Sequence, residues 1–267
     1  LPLLALATLV AAPVLAQAPL PVRAGCWNVE GAEGARIQRV HDDVQALQGV
    51  DLWAFSEVED QSWGRALESA AEAASEGSDF GLLLGDTGGV DRLAVVYNES
   101  RFHVLEVDEL REALPPGSPD RVPAPLAVRL EDEPTGREFW FVSVHLDEGD
   151  ASRRHSEAEF LRRWTADRED PVVLGGDFGF DWDVATRGAR RDRGYDLLTQ
   201  GGVLCWIKPP AHGLVPTEAG QPVISNFLFG RCGRVTGTAR IVKTDRDFQP
   251  AAEAPDRRPV VGDLRLR

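Results

Sequence analysis

The stretch VVLGGDFGFDWD, Val172–Asp183, decides how the rest of the chain reads. An apolar run of Val172, Val173 and Leu174 breaks at Gly175-Gly176 and leads into three acids, Asp177, Asp181 and Asp183. The pattern predicts a buried strand that stops at the glycines and delivers a carboxylate at its tip, a common way to present a catalytic or metal-binding acid. A strand-tip aspartate can equally cap the backbone donors of a turn. The stretch therefore needs company elsewhere in the sequence.

On either side of it, strand and helix patterns alternate. Residues 22–29 read as a strand, and Ile37, Val40, Val44 and Leu47 recur at helical spacing until Gly49. Residues 50–58 (VDLWAFSEV) form an apolar strand with Glu57 near its end, and residues 63–74 a second helix. Short strands at 81–84, 93–97 and 103–107, separated by turn residues, predict an antiparallel meander. A proline-rich surface loop spans 111–125, a hairpin joins 126–130 to 139–145, and residues 151–164 form a third helix. After the opening stretch come a short helix near 195–199 and strands at 203–207, 223–229, 236–242 and 259–266. With neither a repeat nor a long linker, this order predicts an α/β fold: two packed mixed sheets with helices outside them.

The chain has 267 residues, 43% of them hydrophobic, with seven Trp, enough for one large globular domain. Acids number 43 against 29 bases, a net charge of −14 spread along the chain. Such a surface repels polyanions, so general nucleic-acid binding is disfavoured unless a basic patch or a divalent cation intervenes. The basic island RGARRDR at 187–193 reads first as a solvated loop. Residues 1–15 are apolar and end in small residues before Gln17. They predict residues 1–16 as an export signal with a truncated start, and 17–267 as an exported, monomeric single domain. No other stretch is a transmembrane candidate. Cys26, Cys205 and Cys232 lack zinc-site spacing. For an exported protein the expected disulfide is Cys205–Cys232, with Cys26 a small buried residue in the first strand.

Polar residues close otherwise apolar strands at Asn28, Glu57, His145, Asp177 and Asp256. Each alone could be a turn cap or a satisfied core group, but five on strands that can lie side by side suggest one shared site at the sheet edges.

The ordered series CWNVE (26–30), AFSEVED (54–60), LAVVYNESRF (93–102), FVSVHL (141–146), VVLGGDFG (172–179), VISNFLFG (223–230) and DRRPVVGDLRL (256–266) resembles the endonuclease/exonuclease/phosphatase superfamily. The resemblance implies a four-layer sandwich, two mixed sheets flanked by helices, and phosphoester hydrolysis assisted by Mg²⁺, Mn²⁺ or Ca²⁺. Carried over by position, it implies that Glu57 and Asp256 hold the metal, oxygen donors suited to a hard cation. It implies further that Asn28 lies near the scissile phosphate, that His145 stabilises or protonates there, and that Asp177 orients the attacking water. Three positions depart from the pattern. Gly179 stands where an asparagine amide grips the phosphate, Ser225-Asn226 replace an Asp-His pair, and Arg257 replaces a histidine. An acid and an imidazole that work as a dyad are thus lost together. Arg257 can still grip a phosphate bidentately, although it cannot act as a base. Two expectations follow: a phosphoesterase with an altered, weakened site, or a degraded member retained for binding.

Overall fold

A computed structural model of the chain describes residues 18–32, 35–243, 247–248 and 254–267. Among the described residues the strands are β1 (Leu20–Asn28), β2 (Leu52–Val58), β3 (Phe80–Leu84), β4 (Arg92–Asn98), β5 (Phe102–Glu109), β6 (Leu126–Asp132), β7 (Arg137–His145), β8 (Val172–Asp183), β9 (Leu204–Trp206), β10 (Val223–Arg231), β11 (Val235–Ile241) and β12 (Val260–Leu266). The helices are α1 (Ile37–Gln45), α2 (Gln61–Ala73), α3 (Ala151–Ala166) and α4 (Arg193–Thr199). The strands form two six-stranded mixed sheets, ordered β11-β12-β1-β2-β4-β3 and β5-β6-β7-β8-β10-β9. The α/β sandwich expected from the alternating pattern is therefore the observed fold.

Strand periodicity explains how each layer finds its neighbour. Along β2, Leu52 and Ala54 join the core shared with the second sheet, while Trp53 and Phe55 pack with Val40 and Val44 of α1 and Leu67 of α2. Leu161 and Trp164 of α3 and Leu198 of α4 cover the second sheet. Asp60 starts α2 by accepting hydrogen bonds from the Ser62 and Trp63 amides, and Asp150 does the same for α3 with Ser152 and Arg153. Cys26, Ala54 and Gly175 meet where the sheets face each other. A Cβ on Gly175 would lie 3.2 Å from that of Cys26 and 3.4 Å from that of Ala54. Two hydrogen bonds cross the same interface: Cys26 Sγ to the Phe227 carbonyl at 3.3 Å, and Ser143 Oγ to the Phe55 carbonyl at 3.1 Å.

Two expectations are corrected. The three-strand meander does not form, because β3 and β4 pair in the first sheet whereas β5 pairs with β6 at the edge of the second. Alternation reports which face of a strand is apolar, not which sheet takes it. Phe102 settles the matter by packing edge-on against Phe139, with ring centroids 5.6 Å apart. Arg101, in the turn between β4 and β5, ties the sheets together through Asp51 at 3.0 Å and Asp132 at 2.8 Å.

The second correction concerns β8, which does not stop at its glycines. It continues to Asp183, paired with β7 on one side (His145 opposite Asp177) and β10 on the other (Val223 opposite Asp183). Gly176 adopts φ +150°, which lets the strand bend and run on. Asp177 is consequently presented from mid-strand, fully buried, rather than from a tip.

The Cys205–Cys232 disulfide is present, with Cα atoms 5.2 Å apart, and Cys26 is a buried free thiol. The expected export signal lies outside the described residues. Among those residues, no helix is long and apolar enough to cross a membrane.

The bend at Gly176 has a measurable consequence. A Cβ there would collide with the backbone carbonyl of Val144, whereas one on Gly233, also at positive φ, would meet nothing within 4 Å. Gly176→Ala is expected to cost more than about 3 kcal/mol, and Gly233→Ala only about 1 kcal/mol, read from urea-denaturation midpoints.

Candidate active site

β1 and β2 run parallel in one sheet, and β7 and β8 run parallel in the other. Asn28 ends β1, Glu57 lies near the end of β2, His145 ends β7, and Asp177 sits beside His145 on β8. Loops add Glu30 after β1, Glu148 after β7, and Asp256 and Arg257 before β12. Arg257 forms an isolated antiparallel bridge with Glu218. All six residues named from the sequence, Asn28, Glu57, His145, Asp177, Asp256 and Arg257, converge on one rim.

Their contacts form a continuous polar network. Asn28 Nδ2 donates to Glu57 Oε1 at 2.6 Å and, at 3.5 Å, to Asp177 Oδ2. Glu57 has a left-handed backbone, φ +57°, at a bulge in the β2–β4 register. Such strain in a non-glycine residue is retained where it aims a side chain. The carbonyl of Glu57 is fixed by the Gly31 amide at 2.9 Å. His145 Nε2 stands 3.6 Å from Glu57 and 3.8 Å from Glu148, ion-pair distances, and neither buried ring nitrogen has a hydrogen-bond partner among the described residues. Asp177 Oδ1 accepts from the Gly179 amide at 3.1 Å, and its Oδ2 accepts from Arg257 Nε at 3.1 Å. The same guanidinium reaches Glu148 at 3.1 Å, Asp256 at 2.5 Å and Glu218 at 3.8 Å.

A cavity of about 200 Å³ opens over this network, lined by Glu30, Glu57, His145, Glu148, Asp256 and Arg257. Arg121, Val122 and Pro123 of the proline-rich loop also line it. Burial pushes Glu57 up to about 7, more than the His145 charge and the Asn28 amide pull it down. Burial also raises Glu30 and Glu218 to about 7, against the Asp256 amide for the first and Arg257 for the second. His145 goes the other way. Burial disfavours its charge, but Glu148, Glu57 and Asp177 outweigh that and push it up to about 10, so the imidazole is cationic at neutral pH. Burial likewise opposes ionisation of Glu148, yet His145 and Arg257 hold it well below the usual carboxylate range.

One metal-capable group stands out among the described residues: donor atoms of His145, Glu148 and Asp177 all lie within 4.8 Å of one another. Glu57 borders this group through His145. Asp256, read from the sequence as a second ligand, reaches it through Arg257. Asp183 is used elsewhere, its carboxylate accepting from the Thr186 amide at 2.6 Å. Asn226 turns away as well: its Nδ2 donates to the Arg258 carbonyl at 3.1 Å, and the Ser225 amide donates to Thr217 Oγ1 at 2.8 Å. Neither supports an imidazole. Gly179 holds a left-handed φ of +58°, a conformation that an asparagine also tolerates.

Sequence reading missed Glu30, Glu148 and Glu218. Glu148 carried a signal, since it follows His145 by three residues in the acidic run His145-Leu146-Asp147-Glu148. Glu30 closes the quoted CWNVE motif, whereas nothing local marks Glu218.

Two stacked mixed sheets under four helices, with an acid-lined cleft at one rim, define a phosphoesterase-type α/β sandwich. The chain belongs to the Endonuclease/Exonuclease/phosphatase family, whose model matches residues 25–250. A comparison with curated proteins finds no match. Among solved structures, an endonuclease/exonuclease/phosphatase from Bacteroides vulgatus is 17% identical with a TM-score of 0.69, covering 93% of this chain and 100% of its own. A mannosyl-6-phosphatase from Bacteroides thetaiotaomicron is 17% identical with a TM-score of 0.67, covering 91% and 99%. The human Nocturnin catalytic domain, solved with a bound sulfate anion, is 16% identical with a TM-score of 0.68, covering 93% and 96%. At these identities the likeness is one of fold.

The loop that carries Glu148 is held from below by Glu157 of α3, which is 1% exposed and accepts from the Asp147 amide at 2.9 Å. Burial pushes Glu157 up to about 7, against that hydrogen bond. The folded state therefore keeps a proton that the unfolded chain releases near 4.5. The associated stability is present below that pH and is lost as pH rises through about 7. Glu157→Gln removes this slope. Between pH 5 and pH 8 the variant is expected to lose less stability than the parent, by on the order of 3 kcal/mol in urea melts.

Proposed function

We propose that this cleft hydrolyses a phosphoester with the help of a hard divalent cation, Mg²⁺, Mn²⁺ or Ca²⁺. The observation that carries the reading is the convergence of Asn28, Glu57, His145, Asp177 and Arg257 on one rim, beside a set of donors gathered within 4.8 Å. Carboxylate oxygens of Glu57, Glu148 and Asp177 suit such a cation, and the N–H groups of cationic His145, without partners among the described residues, are free to meet the phosphate. Glu57, Glu148 and Asp177 would hold the ion, with Asp256 beside them. When bound, it supplies charge neutralisation at the phosphoryl oxygens and a more acidic water.

The chain's own groups do the rest. The Asn28 amide and the Arg257 fork bind phosphoryl oxygens, and cationic His145 stabilises the charge that develops there. Asp177, fixed by the Gly179 amide, is the acceptor placed to orient water. Proton transfer to the leaving group is the weak step, because Ser225 and Arg257 occupy the positions of the dyad. Losing a general acid/base costs about 10²–10⁴-fold in rate.

The substrate is read as a small phosphoester rather than a nucleic acid, in keeping with the acid-rich lining of the 200 Å³ cavity and the net charge of −14. We read the chain as exported and monomeric. The Cys205–Cys232 disulfide supports export, since such bonds persist in oxidising compartments. A second reading, a binding protein without turnover, is favoured by one observation: Arg257 already engages Asp177, Glu148 and Asp256.

Calorimetric titration and a p-nitrophenyl phosphodiester assay separate the two. The hydrolase reading expects Mn²⁺ binding at millimolar or lower concentration, weakened at least tenfold in Glu57→Gln, and turnover reduced at least a hundredfold in Asp177→Asn. Wild-type protein that binds cation and phosphate yet shows no turnover above background would favour the binding reading. Absence of cation binding would end the hydrolase reading.

A further inference from the structure

Arg257 is placed to do more than hold a phosphate. Its side chain is only 9% exposed, and its fork spans Asp177, Glu148 and Asp256, with Glu218 at 3.8 Å. Two of those acids, Asp177 and Glu148, supply two of the three donors in the metal-capable group. Guanidinium and divalent ion would therefore draw on the same carboxylates. A guanidinium does not give up its proton, so its charge cannot be removed from the competition. It can only move.

The backbone beneath it is fastened. The Arg257 carbonyl accepts from Trp27 Nε1 at 2.8 Å, the Arg258 amide donates to the Thr217 carbonyl at 2.8 Å, and the Ala219 amide donates to the Asp256 carbonyl at 2.8 Å. Movement is thus confined to the side chain, which starts within the wall of the 200 Å³ cavity that would receive the anion.

We infer that Arg257 is a tethered counter-cation that competes with the divalent ion for Asp177 and Glu148 and is drawn off them by the substrate's phosphate, so that anion and metal strengthen each other's binding. The inference rests on the hydrolase reading above. With no anion, the guanidinium balances the buried acids and keeps metal affinity low. With an anion, its charge is satisfied elsewhere and the carboxylates are released. The coupling is reciprocal: whatever factor the anion adds to metal affinity, the metal adds to anion affinity.

The test is a Mn²⁺ titration of the full chain by calorimetry, with and without saturating sulfate as a soluble tetrahedral dianion, in wild type, Arg257→Gln and Arg257→Lys. Wild type is expected to bind Mn²⁺ at least fivefold tighter with sulfate present. Arg257→Gln is expected to bind Mn²⁺ at least tenfold tighter than wild type without sulfate, and to lose most of the sulfate effect. Arg257→Lys keeps the charge on a single ammonium that cannot span all the acids, so it should fall between them. It also provides the comparison should the Gln variant fail to fold. If neither variant binds Mn²⁺ tighter than wild type, the competition is absent and the inference is overturned while the metal site stands. If no form binds Mn²⁺ at millimolar concentration, the hydrolase reading and this inference fall together.

Discussion

The close approach of the two sheets governs this molecule. Cys26, Ala54 and Gly175 are small where β1, β2 and β8 face one another, and they let the parallel pairs β1/β2 and β7/β8 stack directly. Parallel neighbours end on the same side, so Asn28, Glu57 and His145 reach one rim by topology alone. Asp177 joins them because Gly176 bends β8 instead of ending it. A larger residue at any of those contacts would separate the sheets and disperse the side chains before it touched the cleft itself.

What the rim collects is mainly negative charge. Glu30, Glu57, Glu148, Asp177, Glu218 and Asp256 approach one another in a partly dry space, and His145 and Arg257 oppose them within the network. Burial is expensive for unpaired charge, and the site meets that expense in two ways. Some carboxylates are raised toward neutrality, Glu30, Glu57 and Glu218 among them. Others stay ionised because a cation stands next to them, as His145 and Arg257 do beside Glu148. A cleft so arranged favours further positive charge and admits an anion only together with it.

Much of the fold was legible from apolar periodicity, because strand and helix patterns are local properties of the chain. The assignment of β5 was not, since its alternation fits either sheet and a long-range contact between Phe102 and Phe139 decides it. Gly175-Gly176 read as a stop because glycine usually ends a strand. Here its freedom at positive φ serves continuation instead. In the site, residues at the ends of apolar strands were readable, because a polar group there interrupts a pattern. Glu148 lies in an acidic loop, where one more carboxylate breaks no pattern, and Glu218 is a lone acid in a stretch with no apolar periodicity to interrupt. Their importance comes from Arg257, a partner 109 residues away from Glu148 in sequence.

The Cys205–Cys232 cross-link closes a loop with a sequence separation of 27, and within it lie Thr217, Glu218 and Asn226. Each of these holds the segment around Arg257, through the Thr217 carbonyl, the Glu218 bridge and the Asn226 amide. Closing such a loop removes roughly 3–4 kcal/mol of disorder from the unfolded chain. The segment that steadies the arginine is thus clasped covalently by two residues that do not line the cleft, and a reductant could loosen the grip on that cation without ever entering the pocket.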